Sequence, residues 1–315
     1  MPAAKSSDEE FISLFRQLGP AELARRISCN LRNVYQRRKS LERIYKISIS
    51  APVERFPEIR PSEHPHRLFA DIDNGIVLVG SDCHYWPGHA SLMHKAFVLM
   101  CRELKPKIVI LNGDVMDFGM ISRYPPIGWT HLPLPQEEIE AAQERVGEIE
   151  NAVGNARKIW PLGNHDARFE TRLATIAPEF AKVSGTRLSD HFPLWEPCWS
   201  IWINDDVVIK HRYKGGIHAT RNNVLNAGKN IITGHLHSAK VTPFTDYNET
   251  RYGVDTGCIA DPNHKAFLDY TEDNARDWRD GFCVLTFKDR VLIYPELVTR
   301  FSDNEVQWRG QTQKV

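Results

Sequence analysis

Short β-branched and aliphatic runs that end in histidine, aspartate or asparagine constrain this chain more than anything else in it. Ile76-Val77-Leu78-Val79 leads to Asp82-Cys83-His84, and Ile108-Val109-Ile110-Leu111 leads to Gly113-Asp114. Lys158-Ile159-Trp160 leads to Gly163-Asn164-His165-Asp166, and Ile231-Ile232-Thr233 leads to Gly234-His235-Leu236-His237. Runs of this length read as buried strands. Open α/β sheets place their ligand sites in loops beyond the carboxyl ends of such strands, so the polar clusters are expected to converge on one edge. Aspartate, histidine and asparagine together make a donor set for divalent metals.

In order, DxH, GDxxD, GNHD, a later histidine and GHxH make up the motif set of the calcineurin-like metallophosphoesterases, which the chain resembles over roughly residues 75 to 300. The resemblance implies an α/β (α+β) fold, a four-layer sandwich of two mixed β-sheets flanked by helices. It also implies two divalent metal ions, Mn²⁺ first and Fe²⁺ or Zn²⁺ as alternatives. Asp82, His84, Asp114 and His237 would surround one ion, and Asp114, Asn164, His211 and His235 the other, with Asp114 as the bridge. His211 is preferred to His218 because it ends the strand run that starts at Val207; His218 is then a substrate contact or a surface residue. The resemblance makes His165 a general acid that protonates the leaving oxygen, with Asp117 orienting it. Asp166 is expected to support the Asn164-His165 turn through backbone hydrogen bonds. Cys83 is expected to point away from the metals.

Phe118 stands where serine/threonine protein phosphatases carry an arginine that grips phosphate. The pattern is therefore nearer to repair-type exonucleases and other phosphodiesterases of the superfamily. Two segments are candidates for choosing the substrate. Tyr124 and Trp129 lie in a ring-rich stretch after the GDxxD loop, and Arg212 and Lys214 follow His211 and precede two glycines. Either can hold a nucleotide; Tyr124 and Trp129 can equally pack their loop onto the body.

The chain carries no net charge, yet residues 21–50 hold eight cations against two anions, a net +6 that leaves −6 for the rest. Asp8, Glu9 and Glu10 open a first helix that Gly19-Pro20 stops, residues 21–27 form a second, and Asn30 caps a third running from Leu31 to Tyr45. Leu23, Ala24, Ile27, Leu31, Val34 and Leu41 form its apolar seam. This pattern resembles a helix-turn-helix module of phage or prophage type. On that reading Arg32, Asn33, Gln36, Arg37, Arg38 and Lys39 face DNA; the other reading is a three-helix cap for assembly. The expected domains are the small all-α module at 1–50, a proline-rich linker at 51–70 and the metallophosphoesterase body at 71–315.

Six scattered cysteines without a CxxC pair read as reduced thiols. The N-terminus lacks a secretory pattern, and no apolar run approaches the roughly 18–20 residues of a membrane span. A cytoplasmic, bacterial or phage-encoded protein is the expectation. The leading functional expectation is a two-metal phosphodiesterase acting on nucleic acid, DNA first. The alternatives are a nucleotide phosphomonoesterase whose helical module serves assembly in a homo-oligomer, and a DNA-binding regulator with a structural metal site.

Overall fold

Ser7 opens the first helix by accepting from the Glu10 amide at 3.1 Å, with three acidic residues in the first turn where the macrodipole favours them. Helix α1 (Asp8–Arg26) is kinked at Gly19, whose φ of 73° leaves the helical region, and Pro20 starts the second half. The first two helices expected from the sequence are thus the two halves of α1. Asn30 Oδ1 accepts from the Asn33 amide at 2.8 Å and caps α2 (Leu31–Tyr45). The core of this module is Phe11, Phe15, Leu23, Ala24, Val34, Leu41 and Ile49. Leu31, expected in the seam, is exposed at the start of α2.

The computed structural model describes residues 7–51, 56–268, 271 and 274–315, and the chain divides into two units, Met1–Arg55 and Phe56–Val315. In the larger unit the elements follow as β1 (Ile59–Pro61), β2 (Arg67–Ala70), β3 (Gly75–Gly80), α3 (Leu92–Leu104), β4 (Ile108–Leu111), α4 (Pro135–Val153), β5 (Arg157–Pro161), α5 (Asp166–Ile176), α6 (Leu188–His191), β6 (Glu196–Cys198), β7 (Ser200–Ile203) and β8 (Val207–Ile209). They continue with α7 (Ala219–Ala227), β9 (Asn230–Thr233), β10 (Lys240–Thr245), β11 (Thr250–Asp255), α8 (Lys265–Leu268), β12 (Gly281–Lys288), β13 (Val291–Leu292), β14 (Glu296–Ser302), β15 (Glu305–Trp308) and β16 (Gln311–Lys314). One sheet runs β1-β2-β7-β8-β9-β11-β10, and the other runs β16-β15-β14-β12-β3-β4-β5-β6 with β13 attached to β12. Both are mixed: β3, β4, β5 and β6 are parallel neighbours while β12 joins β3 antiparallel, and β8-β9-β11 are parallel within the other sheet.

The two-residue period of the strands sets the layers. Val77, Val79, Ile108, Ile110 and Ile159 point to one side and pack with Ile201, Ile203, Val207, Ile209, Ile232 and Val254 of the facing sheet. Leu78, Val109 and Leu111 point to the other, where α3 and α4 cover them with Phe97, Met100, Ile139, Ala142, Val146 and Ile149. Val224 of α7 covers Val208 and Ile231 on the outer face of the first sheet. The result is the four-layer helix-sheet-sheet-helix sandwich, in which each fully buried Val, Ile or Leu contributes about 1.5–3 kcal/mol.

Two strands correct the expected linker. Residues 59–61 and 67–70 are β1 and β2, and β2 pairs parallel with β7 from Arg67↔Ser200 to Ala70↔Ile203. Leu68 and Ala70 alternate into the core, which four residues of strand can do without the sequence showing it. Pro52 of the same stretch lies outside the described residues. Among the described residues no helix is long and apolar enough to cross a membrane.

Candidate metal centre

The carboxyl ends of β3, β4 and β5 in one sheet and of β8 and β9 in the other deliver the polar clusters to one place, so the site draws on both sheets rather than on one edge. Among the described residues, three groups of histidine and carboxylate come within metal-ligating range of each other: Asp82 with His84 and His237, Asp114 with His211 and His235, and His84 with Asp117 and His165. Asp82 Oδ1 lies 3.0 Å from His237 Nε2, and Asp114 Oδ2 lies 3.1 Å from His211 Nε2 and 3.8 Å from His165 Nε2. The backbone here is held in the left-handed region at Asp82, His84, Asp114, His235 and His237. Such positions cost about 1–3 kcal/mol each for residues other than glycine, and persist only where their surroundings fix them.

Those surroundings are visible. Asp166 is fully buried, and its Oδ2 accepts from the amides of Asp114 at 2.9 Å and Gly163 at 2.8 Å and from Trp160 Nε1 at 3.0 Å. Its Oδ1 accepts from the Val115 amide at 2.9 Å. One carboxylate therefore ties the loop after β4 to the loop after β5, which is the supporting role read from the sequence, extended to a second loop. A Cβ at Gly163 would fall 2.0 Å from Asp114 Oδ1, and one at Gly234 would fall 2.5 Å from Asp82 Oδ2. Only glycine lets these loops close on the carboxylates. Cys83 packs in the core beneath, as expected.

The donor set fits divalent ions. His84 Nε2, Asn164 Oδ1 and His237 Nδ1 are all buried without a hydrogen-bond partner, an expensive arrangement of about 1–3 kcal/mol per group unless something else binds them. Burial would raise the Asp82 carboxyl, but the nearby His237 and His211 bring it down to about 2. Burial likewise opposes ionisation of Asp114, and His211 overrides it to hold the group well below its ordinary value. His211 shows the mirror image, with burial favouring the neutral ring while Asp114 and Asp82 lift it to about 10. His235 is lowered, chiefly by burial and then by His211. The site is a dense set of opposed charges that divalent cations can replace protons in.

His165 stands beside this set with both nitrogens engaged. Its Nδ1 lies 2.8 Å from Asp117 Oδ1 and 3.0 Å from the Asp117 carbonyl. Burial disfavours its charged form, yet the bond to Asp117 outweighs that and raises it. Asp117 is held in turn by Glu138 from α4, whose Oε2 accepts from the amides of Asp117 at 2.9 Å and Phe118 at 2.7 Å. Burial pushes Glu138 up to about 8.

Other residues named from the sequence are not all at the centre. His218 is exposed at the start of α7 and belongs to none of the three groups. Arg212 and Lys214 are exposed, and Arg212 helps lower His235, whereas Lys214 Nζ sits over the Tyr213 ring. Tyr124 and Trp129 are exposed, Trp129 completely, so neither packs its loop onto the body. In the module Arg32, Asn33, Gln36 and Lys39 are exposed on α2. Arg37 and Arg38 are half-buried: Arg37 pairs with Asp8 at 2.9 Å and covers Phe11, while Arg38 faces Glu42 and Phe15. Both lie on the side of α2 that carries buried Val34 and Leu41 toward α1.

Sequence reasoning missed Arg168, Trp278, Glu138 and Asp255. Arg168 follows His165 by three residues and so shares its side of the first turn of α5, a spacing that was legible. The Trp278 ring lies tilted against His237 with centroids 4.5 Å apart, with no motif to announce it. Glu138 and Asp255 are buried acids far from the motifs in sequence. Asp255 accepts from the Ser238 and Gly257 amides at 3.0 Å, and burial raises it to about 7.

No family model matches the chain, and no curated protein does. Solved structures match it at low identity. A single mutant of Vps29 from Entamoeba histolytica is 15% identical, with 76% of this chain and 99% of that chain covered and a TM-score of 0.40. Yfce, a phosphoesterase from E. coli, is 12% identical, with 70% and 97% covered and a TM-score of 0.34. A serine/threonine phosphatase from Saccharomyces cerevisiae with similarity to human phosphatase PP5 is 13% identical, with 76% and 85% covered and a TM-score of 0.37.

Proposed function

We propose that this protein is a two-metal-dependent phosphoesterase of the calcineurin-like superfamily that hydrolyses phosphodiester bonds, with DNA as its substrate. The observation that carries the reading is the pair of largely buried groups, Asp82-His84-His237 and Asp114-His211-His235, with unpartnered donor atoms beside an Asp117-held His165. Asp82, His84, Asp114 and His237 would hold one ion, and Asp114, Asn164, His211 and His235 the other. Mn²⁺ is the first choice for this oxygen and nitrogen set. Bound ions supply Lewis-acid and nucleophile-activating chemistry at such sites.

The chain's own residues do the rest. His165 holds a proton at Nε2 when charged, because Asp117 occupies Nδ1, and it delivers that proton to the leaving oxygen. Glu138 keeps Asp117 in place through the loop backbone, and Asp166 fixes the two loops so that Asp114 and His165 keep their spacing. Arg212, Lys214, Tyr124 and Trp129 are exposed where cations and rings can meet a nucleotide. The DNA reading of the module is supported by the exposed face of α2, where Arg32, Asn33, Gln36 and Lys39 offer the side chains that read base edges and phosphates.

A panel of divalent ions against duplex DNA, single strands, RNA, a nucleoside monophosphate and a chromogenic diester tests the proposal. Metal-dependent cleavage of DNA and of the diester is expected. Turnover of the monophosphate alone would favour the phosphomonoesterase reading, and no hydrolysis with any metal would overturn the enzyme reading.

A further inference from the structure

The loop carrying Asp114 and Asp117 brings no cation to the site. Phe118 is fully buried and stacks on Phe169 with centroids 5.6 Å apart. The positive charge comes instead from α5. Arg168 is half-buried one turn into that helix, its Nη1 donating to the Asp117 carbonyl at 2.8 Å and its Nη2 lying 3.2 Å from His165 Nε2. One arm of the guanidinium is thus anchored on the backbone of the residue whose carboxylate holds the other face of His165.

A guanidinium has donors only, so the 3.2 Å contact requires His165 Nε2 to act as acceptor. Nη2 therefore aims its donors at one place, the Nε2 edge of His165. The place borders Asp114, whose Oδ2 is 3.8 Å from the same Nε2, so it lies beside a carboxylate assigned to both ions. An anionic oxygen there would also exchange Arg168's neutral partner for a charged one, and charge-assisted hydrogen bonds are about twice as strong. The anchored, planar fork loses little freedom in making that exchange.

We propose that Arg168 is a substrate-binding residue that grips a non-bridging phosphoryl oxygen beside His165. The assignment rests on the phosphoesterase reading and adds to it the cation that the Phe118 position does not provide. A phosphoryl group entering the site takes the Nη2 donor from His165, which leaves the Nε2 edge of the ring open toward the leaving oxygen. Arg168 keeps its other arm on Asp117 throughout.

Inorganic phosphate, titrated calorimetrically into the Mn²⁺-loaded full chain, tests this directly, with bound metal counted in every sample. Arg168→Gln keeps neutral donors, Arg168→Lys keeps the charge, and Arg168→Ala opens a space that free guanidinium can enter. The expected result is a loss of phosphate affinity of about ten- to a hundredfold for Arg168→Gln, the range for one hydrogen bond to a charged group. Arg168→Lys should lose less, guanidinium should restore part of the affinity of Arg168→Ala, and metal content should stay at the parent level. Parent-like phosphate affinity in Arg168→Gln and Arg168→Ala would overturn the assignment. So would loss of metal in all three variants without rescue by guanidinium, which would make Arg168 a brace for the Asp117 loop. A parent chain that binds metal but no phosphate would overturn the phosphoesterase reading itself.

Discussion

Replacing Asp166 tests whether one carboxylate holds the candidate centre together. Four buried donors converge on it: the Asp114, Gly163 and Trp160 nitrogens on Oδ2 and the Val115 amide on Oδ1. Asp166→Asn keeps one oxygen and turns the other into a donor. With that oxygen in the Oδ2 position, the Val115 amide alone loses its acceptor, at about 1–3 kcal/mol for a buried unpaired group. Asp166→Ala strands all four, a nominal loss of about 4–12 kcal/mol, which overlaps the whole stability of a typical domain at roughly 5–15 kcal/mol. Asparagine should therefore give a folded, weakened protein, and alanine one that is unfolded or has released the loops after β4 and β5. Urea unfolding of the metal-free chains, read as a midpoint shift at constant slope, measures the first, and solubility with metal content measures the second. An alanine variant within about 1 kcal/mol of the parent, with normal metal uptake, would refute the clamp.

Other consequences follow from the same geometry. His165→Ala should keep its metal and lose about 10² to 10⁴ in turnover, and the loss should shrink for esters with acidic leaving groups; an equal loss on all esters would remove the proton-donor role. In the metal-free chain His211 is raised to about 10, so the stability it contributes is fully present below its unfolded value near 6.5 and is lost as pH rises toward 10. Metal must displace that proton, so uptake at pH 7 should release protons and affinity should climb as pH rises toward 10, as calorimetry in buffers of different ionisation enthalpy would report; a pH-independent affinity would contradict the ligand assignment. In the module, Arg32→Ala with Lys39→Ala should weaken duplex binding and lower the salt slope by about 0.9 for each phosphate that is no longer neutralised. Arg37→Ala should cost module stability instead, because Arg37 holds Asp8 and Phe11; unchanged DNA binding in the Arg32, Lys39 variant would leave the assembly reading of the module.

The parts of the fold legible in the sequence were those whose strands are buried on both faces. β3, β4, β9 and β12 are near-continuous apolar runs because one face meets the opposite sheet and the other meets helices, and the ends of β3, β4 and β9 carry the motif residues. β10, β15 and β16 were not legible: Lys240–Thr245 and Gln311–Lys314 contain few core residues, being held by backbone pairing at the sheet margins. β1 was hidden by Pro61, which an edge strand tolerates. At the site, ligand identity could be read from spacing, and the three-residue spacing places Arg168 beside His165, but nothing in it separates a site residue from the solvated charge that a single arginine on a helix ordinarily is. The contacts of Arg37 and Arg38 were hidden for a related reason: residue type alone groups them with the exposed cations of α2, while Asp8 and the Phe11 and Phe15 rings draw them toward α1.

Manganese titration of the metal-stripped chain, followed by turnover of a chromogenic diester and by bound metal per chain, tests the central claim most directly. Two ions per chain should be required for full activity, and Asp114→Asn, which alters the ligand assigned to both, should lower occupancy at both positions together and abolish turnover. Hydrolysis by the stripped chain, or two fully retained ions in Asp114→Asn, would contradict the two-metal account.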